Sequence, residues 1–197
     1  MKDNEGMLAV MAARKAVEAE VGLIEVDDFD MPGSFMQKRG VFVTLSTFPE
    51  HELRGCIGYP EPVFPLGEAL IRAAEGACHD PRFPPLHKSE LDGIVVETSI
   101  LTVPELISTE ERRKLPEVIR VGTDGLIMER GHYRGLLLPQ VPVEWGWDAT
   151  TFLEQTCIKA GMTPDRWLDS SCKVYRFQAE IFYEGTPRGK VLRKELK

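Results

Sequence analysis

The sequence predicts an α+β fold, an antiparallel sheet with flanking helices. Strand-patterned segments follow one another in runs, and helix-patterned segments sit between those runs instead of after every strand. No glycine-rich phosphate-binding turn follows any strand, as a doubly wound dinucleotide fold would require. At 197 residues, with 43% hydrophobic and 28% charged side chains, the chain is long and apolar enough to fold without disulfide or metal, as one domain or as two lobes around a shared core. It carries no internal repeat and no low-complexity linker, so any lobes are divided by the fold and not by a tether.

The first element is a helix over 7–21, where Met7, Leu8, Met11, Val17 and Val21 broadly follow one face and Gly22 suits the left-handed position after a helix. "GVFVTLST" (40–47) alternates as a strand, with Val41, Val43 and Leu45 on one face and Phe42 and Thr44 on the other. "LRGCIGY" (53–59) is its expected neighbour. Pro65 opens a helix in which Leu66, Ala69, Leu70, Ala73, Ala74 and Ala77 form a stripe, and "DPRFPP" breaks it. "DGIVVETSIL" is a strand after a turn. Residues 117–139 read as a meander of three short strands, split at "TDG" and at the glycine-bounded turn 131–135. A helix of about three turns follows, with Asp148 as candidate N-cap, a Thr151/Glu154 capping box as the alternative and Gly161 as its stop. Last comes the strand "CKVYRFQAEIFYE", with Tyr175, Phe177, Ala179, Ile181 and Tyr183 facing inward and Arg176, Gln178 and Glu180 on a wet face.

A net charge of −7 argues against a broad polyanion-binding surface and disfavours nucleic acid as a partner. The basic tail 186–197 is expected to be solvated and exposed, so that its removal leaves the fold nearly unchanged. The start has no basic region leading into an apolar core, and no run of about 18 apolar residues occurs, which points to a cytoplasmic protein off the membrane. Cys56, Cys78, Cys157 and Cys172 include no CxxC pair and are too sparse for a secreted disulfide framework, so reduced thiols are expected. Metal-ligand spacing and a GxSxG elbow are both missing, and no cofactor is implied.

Three segments are candidates for chemistry. In "LRGCIG", Gly55 and Gly58 flank Cys56 in a strand, where glycine marks a bulge or a close approach. If 52–58 is extended, Glu52, Arg54, Cys56 and Gly58 share a face, and the guanidinium favours the thiolate unless Glu52 takes its charge first. The bland alternative makes Cys56 a small buried hydrophobe and Arg54 a cover for the sheet. In "HDPRFPPL", Asp80 follows a helix C-terminus whose dipole repels a carboxylate. It either starts a turn by accepting forward backbone amides or orients Arg82 in a bidentate pair at a site. In "LLLPQVPVEWGWD", Pro139 and Pro142 stop strand pairing and place Gln140, Glu144 and Trp147 on a rigid connection, against the alternative of a core-edge tryptophan and a solvated glutamate.

With "GVFVTL" before them and "YRFQAEIFYE" after, these three motifs resemble the AMMECR family in order and over nearly the whole chain. Tyr59 departs from the small residue or threonine expected there. The resemblance implies a single AMMECR-like domain over 1–197, made of two unequal, interleaved subdomains that form a cleft. It implies that Arg54, Gly55, Cys56, Gly58, Asp80, Arg82, Phe83, Pro139, Gln140, Glu144 and Trp147 gather there. A Memo-like protein and a radical SAM protein are the partners it implies. It names no reaction.

Two readings of function stand. In the first, the protein is an enzyme or enzyme subunit that binds a small anionic or carbonyl-containing ligand. Cys56 is its nucleophile or redox thiol, Arg54 and Arg82 hold negative charge, Glu144 or Asp80 carries a proton or orients an arginine, and Gln140 contacts the ligand. In the second, the chain is a non-catalytic interaction module in which "LRGCIG" serves tight backbone packing.

Overall fold

The computed structural model describes residues 1–24, 31–108 and 111–194. The chain forms two compact units, one from Met1–Leu101 with Glu180–Glu195 and one from Thr102–Ala179.

In the first unit, helices α1 (Asp3–Glu20) and α2 (Leu66–Cys78) pack together and against strands β1 (Val41–Thr47), β2 (Leu53–Tyr59) and β3 (Ile94–Leu101). β1 pairs antiparallel with both neighbours. Val41, Val43 and Leu45 are fully buried as the alternation requires, and so is the whole stripe predicted on α2. α1 corrects the sequence reading. Met7, Leu8 and Met11 are 45%, 40% and 51% exposed, and the buried face is instead Ala9, Val10, Ala12, Ala13, Ala16 and Val17. The reason is the partner: α2 presents Ala69, Ala73, Ala74 and Ala77, and small side chains on both helices permit a close approach that bulky ones would block. Arg14 lies on that buried face. Its Nε donates to Glu184 Oε1 at 2.9 Å, Nη2 also binds the Glu184 carboxylate and donates to Ile94 O at 2.8 Å, and Val96 N donates to Glu184 Oε2 at 3.1 Å. The pair is thus fully engaged, the condition under which a buried ion pair is tolerated.

Strand β7 (Lys173–Glu184) does not have the single wet face expected of it, because Val174, Phe177, Ile181, Phe182 and Glu184 are all buried. Its two ends serve different cores: Val174 packs with Leu126 and Trp167, Phe182 with α1 and α2 residues. The tail is described as far as residue 194, and 195–197 lie outside the described residues. Many of its side chains are exposed, but the backbone forms β8 (Val191–Lys194), paired antiparallel with β7. Arg188 binds Glu18 and Asp92, Arg193 binds Asp3 at 3.0 Å, and Lys194 binds Glu97 at 3.1 Å. A strand of this length is too short to show a period, and its charges are matched by acids on the body, so truncation at 186 would remove docked structure.

In the second unit, β5 (Asp124–Arg130) pairs antiparallel with β6 (Tyr133–Leu137) and with β7, and β4 (Glu105–Leu106) pairs with β7 on its other side. The expected three-strand meander is a two-strand hairpin. Its tight turn is Gly131–His132, with Gly131 at φ +59. Residues 117–121 are not a strand: helix α3 (Leu115–Val118) is followed by a turn in which Asp124 Oδ2 accepts from Arg120 N at 3.0 Å and Asp124 N donates to Arg120 O at 2.8 Å. An aspartate that bonds locally to backbone offers the chain an alternative to a ladder. Two helices follow, α4 (Gln140–Glu144) and α5 (Ala149–Lys159). Asp148 is the cap of α5, accepting from Thr151 N at 2.7 Å, and Gly161 ends it at φ +78.

Candidate functional site

The register of β1 with β2 places Cys56 opposite Thr44 and Gly58 opposite Phe42. Thr44 Oγ1 donates to Cys56 Sγ at 3.2 Å, and the thiol is half-buried. The two glycines admit other parts of this chain, not a ligand. A Cβ on Gly55 would lie 2.3 Å from Ala77 O at the end of α2, and one on Gly58 would lie 2.3 Å from the Phe42 ring.

Leu45 pairs with Gly55 while Ser46 pairs with Leu53, so Arg54 is the extra residue of a β-bulge. Its guanidinium is held by Glu90, with Nε to Oε1 at 2.7 Å and Nη2 to Oε2 at 3.1 Å. The charge that the sequence placed beside the thiol is therefore committed to Glu90, and the carboxyl of Glu90 is held below its usual range by that bond.

Asp80 is 2% exposed and accepts from Cys56 N at 2.8 Å, from Arg82 N at 3.0 Å, and from Arg82 Nε and Nη2 at 3.0 and 2.6 Å. It closes a turn through the Arg82 amide and also grips the Arg82 side chain with both oxygens. Arg82, with the Cys56 amide adding to it, keeps the carboxyl far below the ordinary aspartate range. A carboxylate held this way orients the groups that donate to it. The Arg82 side chain remains 56% exposed, with Nη2 3.4 Å from Cys56 O. Phe83 is flanked by two cations, the guanidinium carbons of Arg54 and Arg82 lying 5.9 and 5.7 Å from its ring centre. The nearby histidines are engaged elsewhere, His79 with Glu20 Oε1 at 2.7 Å and His87 with Ser89 Oγ at 2.9 Å.

The structure thus brings Arg54, Gly55, Cys56, Asp80, Arg82 and Phe83 together in the first unit. Gln140, Glu144 and Trp147 belong to the second. Gln140 begins α4, and its Oε1 is buried without a hydrogen-bond partner. Glu144 ends α4 exposed to solvent. Trp147 packs on the second core and stacks on Trp145, with ring centres 6.1 Å apart and planes 19° off parallel.

Two contacts of the site are absent from the sequence reading. Thr44 is recoverable by pairing "GVFVTLST" against "LRGCIGY" around their turn. Glu90 carries a weaker signal, a capping box in which His87 N donates to Glu90 Oε2 at 2.7 Å. Among the described residues, no cluster of three or more His, Cys, Asp and Glu side chains is grouped as metal ligands, and no helix is long and apolar enough to cross a membrane.

The sequence profile of the AMMECR1 family matches residues 10–182. Protein MJ0810 of Methanocaldococcus jannaschii is 53% identical over 194 residues, covering 98% of this chain and 96% of that protein. Protein PH0010 of Pyrococcus horikoshii is 53% identical over 204 residues, covering 100% of this chain and 98% of that protein. The crystal structure of PH0010, described as an uncharacterized protein, superposes with a TM-score of 0.86 at 51% identity, covering 100% of this chain and 99% of that one. With a matching profile across most of its length and relatives that share half its residues end to end, the chain belongs to the AMMECR1 family.

Proposed function

We propose that the cluster around Asp80 is a thiol site for a small anionic or carbonyl-containing ligand, with Cys56 as its reactive group and Arg82 as its anion contact. One observation carries this reading. A single buried carboxylate fixes both the Cys56 amide and the Arg82 guanidinium, so the backbone that carries a half-buried thiol and a half-exposed cation share one anchor before any ligand arrives. The Thr44 hydroxyl, which donates to the sulfur at 3.2 Å, supports it by fixing the direction of the thiol. The test is iodoacetamide labelling of the folded protein, read residue by residue by mass spectrometry. Cys56 is expected to react first. Its competitor is Cys172, whose thiol pKa is lowered by the hydrogen bond from Cys157 and by Arg112 but which is fully buried. Faster modification of Cys172 or Cys157 would overturn the reading. Thr44→Val should slow Cys56 labelling without exposing the buried thiols.

A second reading, an interaction module that docks a Memo-like or radical SAM partner, is favoured by the internal pairing of Arg54 with Glu90 and of Asp80 with Arg82. Under it, Phe83→Ala would abolish partner capture while Cys56→Ser left it intact.

A further inference from the structure

We infer that the second unit carries its own anion site, in which Arg120 and Arg176 grip the phosphate or carboxylate of a small metabolite. The inference rests on different residues from the thiol site and stands whether or not Cys56 reacts.

A pocket of about 270 Å³ is lined by Thr102, Glu105, Arg120, Arg176, Phe177 and Gln178. That is just below the roughly 300–1,000 Å³ of ordinary small-molecule sites, which suits a small metabolite and not a dinucleotide. β7 places Arg176 and Gln178 on one face. Across the ladder Glu105 stands opposite Arg176, and Asp124 stands opposite Gln178.

Both arginines are loosely matched. Arg120 Nη2 is 3.6 Å from Asp124 Oδ1, and Arg176 Nη2 is 3.4 Å from Glu105 Oε2. Charge-assisted bonds run at about 2.7–2.9 Å. Asp124, fully buried, is satisfied by other groups: Arg120 N at 3.0 Å and Gln178 Nε2 at 3.2 Å. The Arg120 guanidinium is therefore not required by the carboxylate beside it and stays 64% exposed. Glu105, with 71% of its side chain exposed, is free to swing away from Arg176. Two like charges line one pocket with most of their N–H donors unmatched among the described residues, and an oxyanion between them would relieve the repulsion and fill both forks.

The remaining polar groups are fixed in complementary roles. Asp124 is acceptor-only, so the Gln178 amide must turn its NH₂ inward and leave its Oε1 as an acceptor. Thr102 Oγ1 accepts from Gln178 N at 2.8 Å and keeps its own proton to donate. Two cationic forks, one acceptor and one hydroxyl fit a phosphate monoester or a short dicarboxylate bearing a hydroxyl.

The test is an NMR titration of the arginine Nε–Hε signals of the whole protein, with inorganic phosphate and with succinate in separate arms at constant ionic strength. Saturable shifts of the Arg120 and Arg176 signals are expected in at least one arm, and the arm that saturates names the ligand's anionic group. Arg120→Ala and Arg176→Ala should each weaken binding about 10- to 100-fold, the loss of one or two charge-assisted bonds. Arg176→Lys, which keeps the charge but not the fork, should fall between. Arg120 is mostly solvent-exposed, so its variant keeps the fold and the test stays decisive if the Arg176 variants melt. Linear, unsaturating shifts in both arms, or saturable binding that survives Arg120→Ala unchanged, would overturn the inference.

Discussion

Asp80 in the first unit and Asp124 in the second are both buried, and each has an arginine close by in sequence, yet they treat it in opposite ways. Asp80 takes Arg82 through two of its guanidinium nitrogens, Nε at 3.0 Å and Nη2 at 2.6 Å. Asp124 holds the Arg120 backbone and leaves the Arg120 guanidinium at 3.6 Å. Chain direction accounts for the difference. Arg82 follows Asp80 by two residues in a turn that folds its amide and its side chain onto the same carboxylate. Arg120 precedes Asp124 by four, and there its amide and the Gln178 side chain each donate to one carboxylate oxygen while its guanidinium stays outside bonding distance. An arginine that completes a buried carboxylate is oriented by it and offers a ligand only its remaining donors; one beside a carboxylate already bonded by amides keeps nearly its whole fork.

The sharpest way to break this contrast is to remove the carboxylates. Asp80→Ala strips the acceptor from the Cys56 amide, from the turn and from Arg82 at once, and should cost about 3 kcal/mol, the upper end for charge-assisted hydrogen bonds, because the arginine left behind is half-exposed. Asp124→Ala leaves an amide N–H and a glutamine unpaired but no committed cation, and should cost about 1–3 kcal/mol. Urea unfolding of both variants checks the order. Equal losses, or a larger one at Asp124, would mean that Asp124 and not Asp80 is the tighter anchor.

Sequence patterns carried the parts of this fold that depend on strong periodicity. The alternation of 41–47 and the alanine-leucine stripe of α2 are both found as expected. They failed where packing inverts hydrophobicity: α1 buries alanines and exposes two methionines, because its neighbour is also alanine-lined. They failed again at 117–121, where local bonds to Asp124 replace a ladder. Around Cys56, the motif residues of the first unit were legible in the sequence because glycine and proline punctuate them. The commitment of Arg54 to Glu90 was not, since it depends on a one-residue bulge that no period records.

The arginines give a second, smaller contrast. Arg82→Ala removes charge-assisted bonds to a buried carboxylate and should lower stability by about 1.5–3 kcal/mol. Arg120→Ala should stay within about 0.5 kcal/mol, as a surface substitution does. For a chain of this length each kcal/mol moves the melting midpoint by roughly 2–4 °C, so melts of the three proteins separate the cases. A midpoint for Arg82→Ala that matches wild type would show that the bond to Asp80 does not hold Arg82 in place, and would remove the preorganisation on which the thiol-site proposal rests.

The smallest effect lies in the pH dependence of that Arg82 difference. Because Arg82 depresses the folded-state pKa of Asp80, the stability they share is fully present above the unfolded aspartate value of about 3.9. It is lost as pH falls from there through the depressed folded value. The gap between wild type and Arg82→Ala should therefore be constant from neutrality down to about pH 4.5 and should narrow progressively below about pH 4. Glu90, also depressed by an arginine, is common to both proteins and cancels in the difference. Denaturant unfolding of the two proteins in parallel between neutrality and pH 3 makes the measurement. A gap that stays constant to the acid end would show that Arg82 acts by packing on Phe83, whose ring centre is 5.7 Å from its guanidinium carbon, and that the charge of Asp80 contributes nothing to holding it.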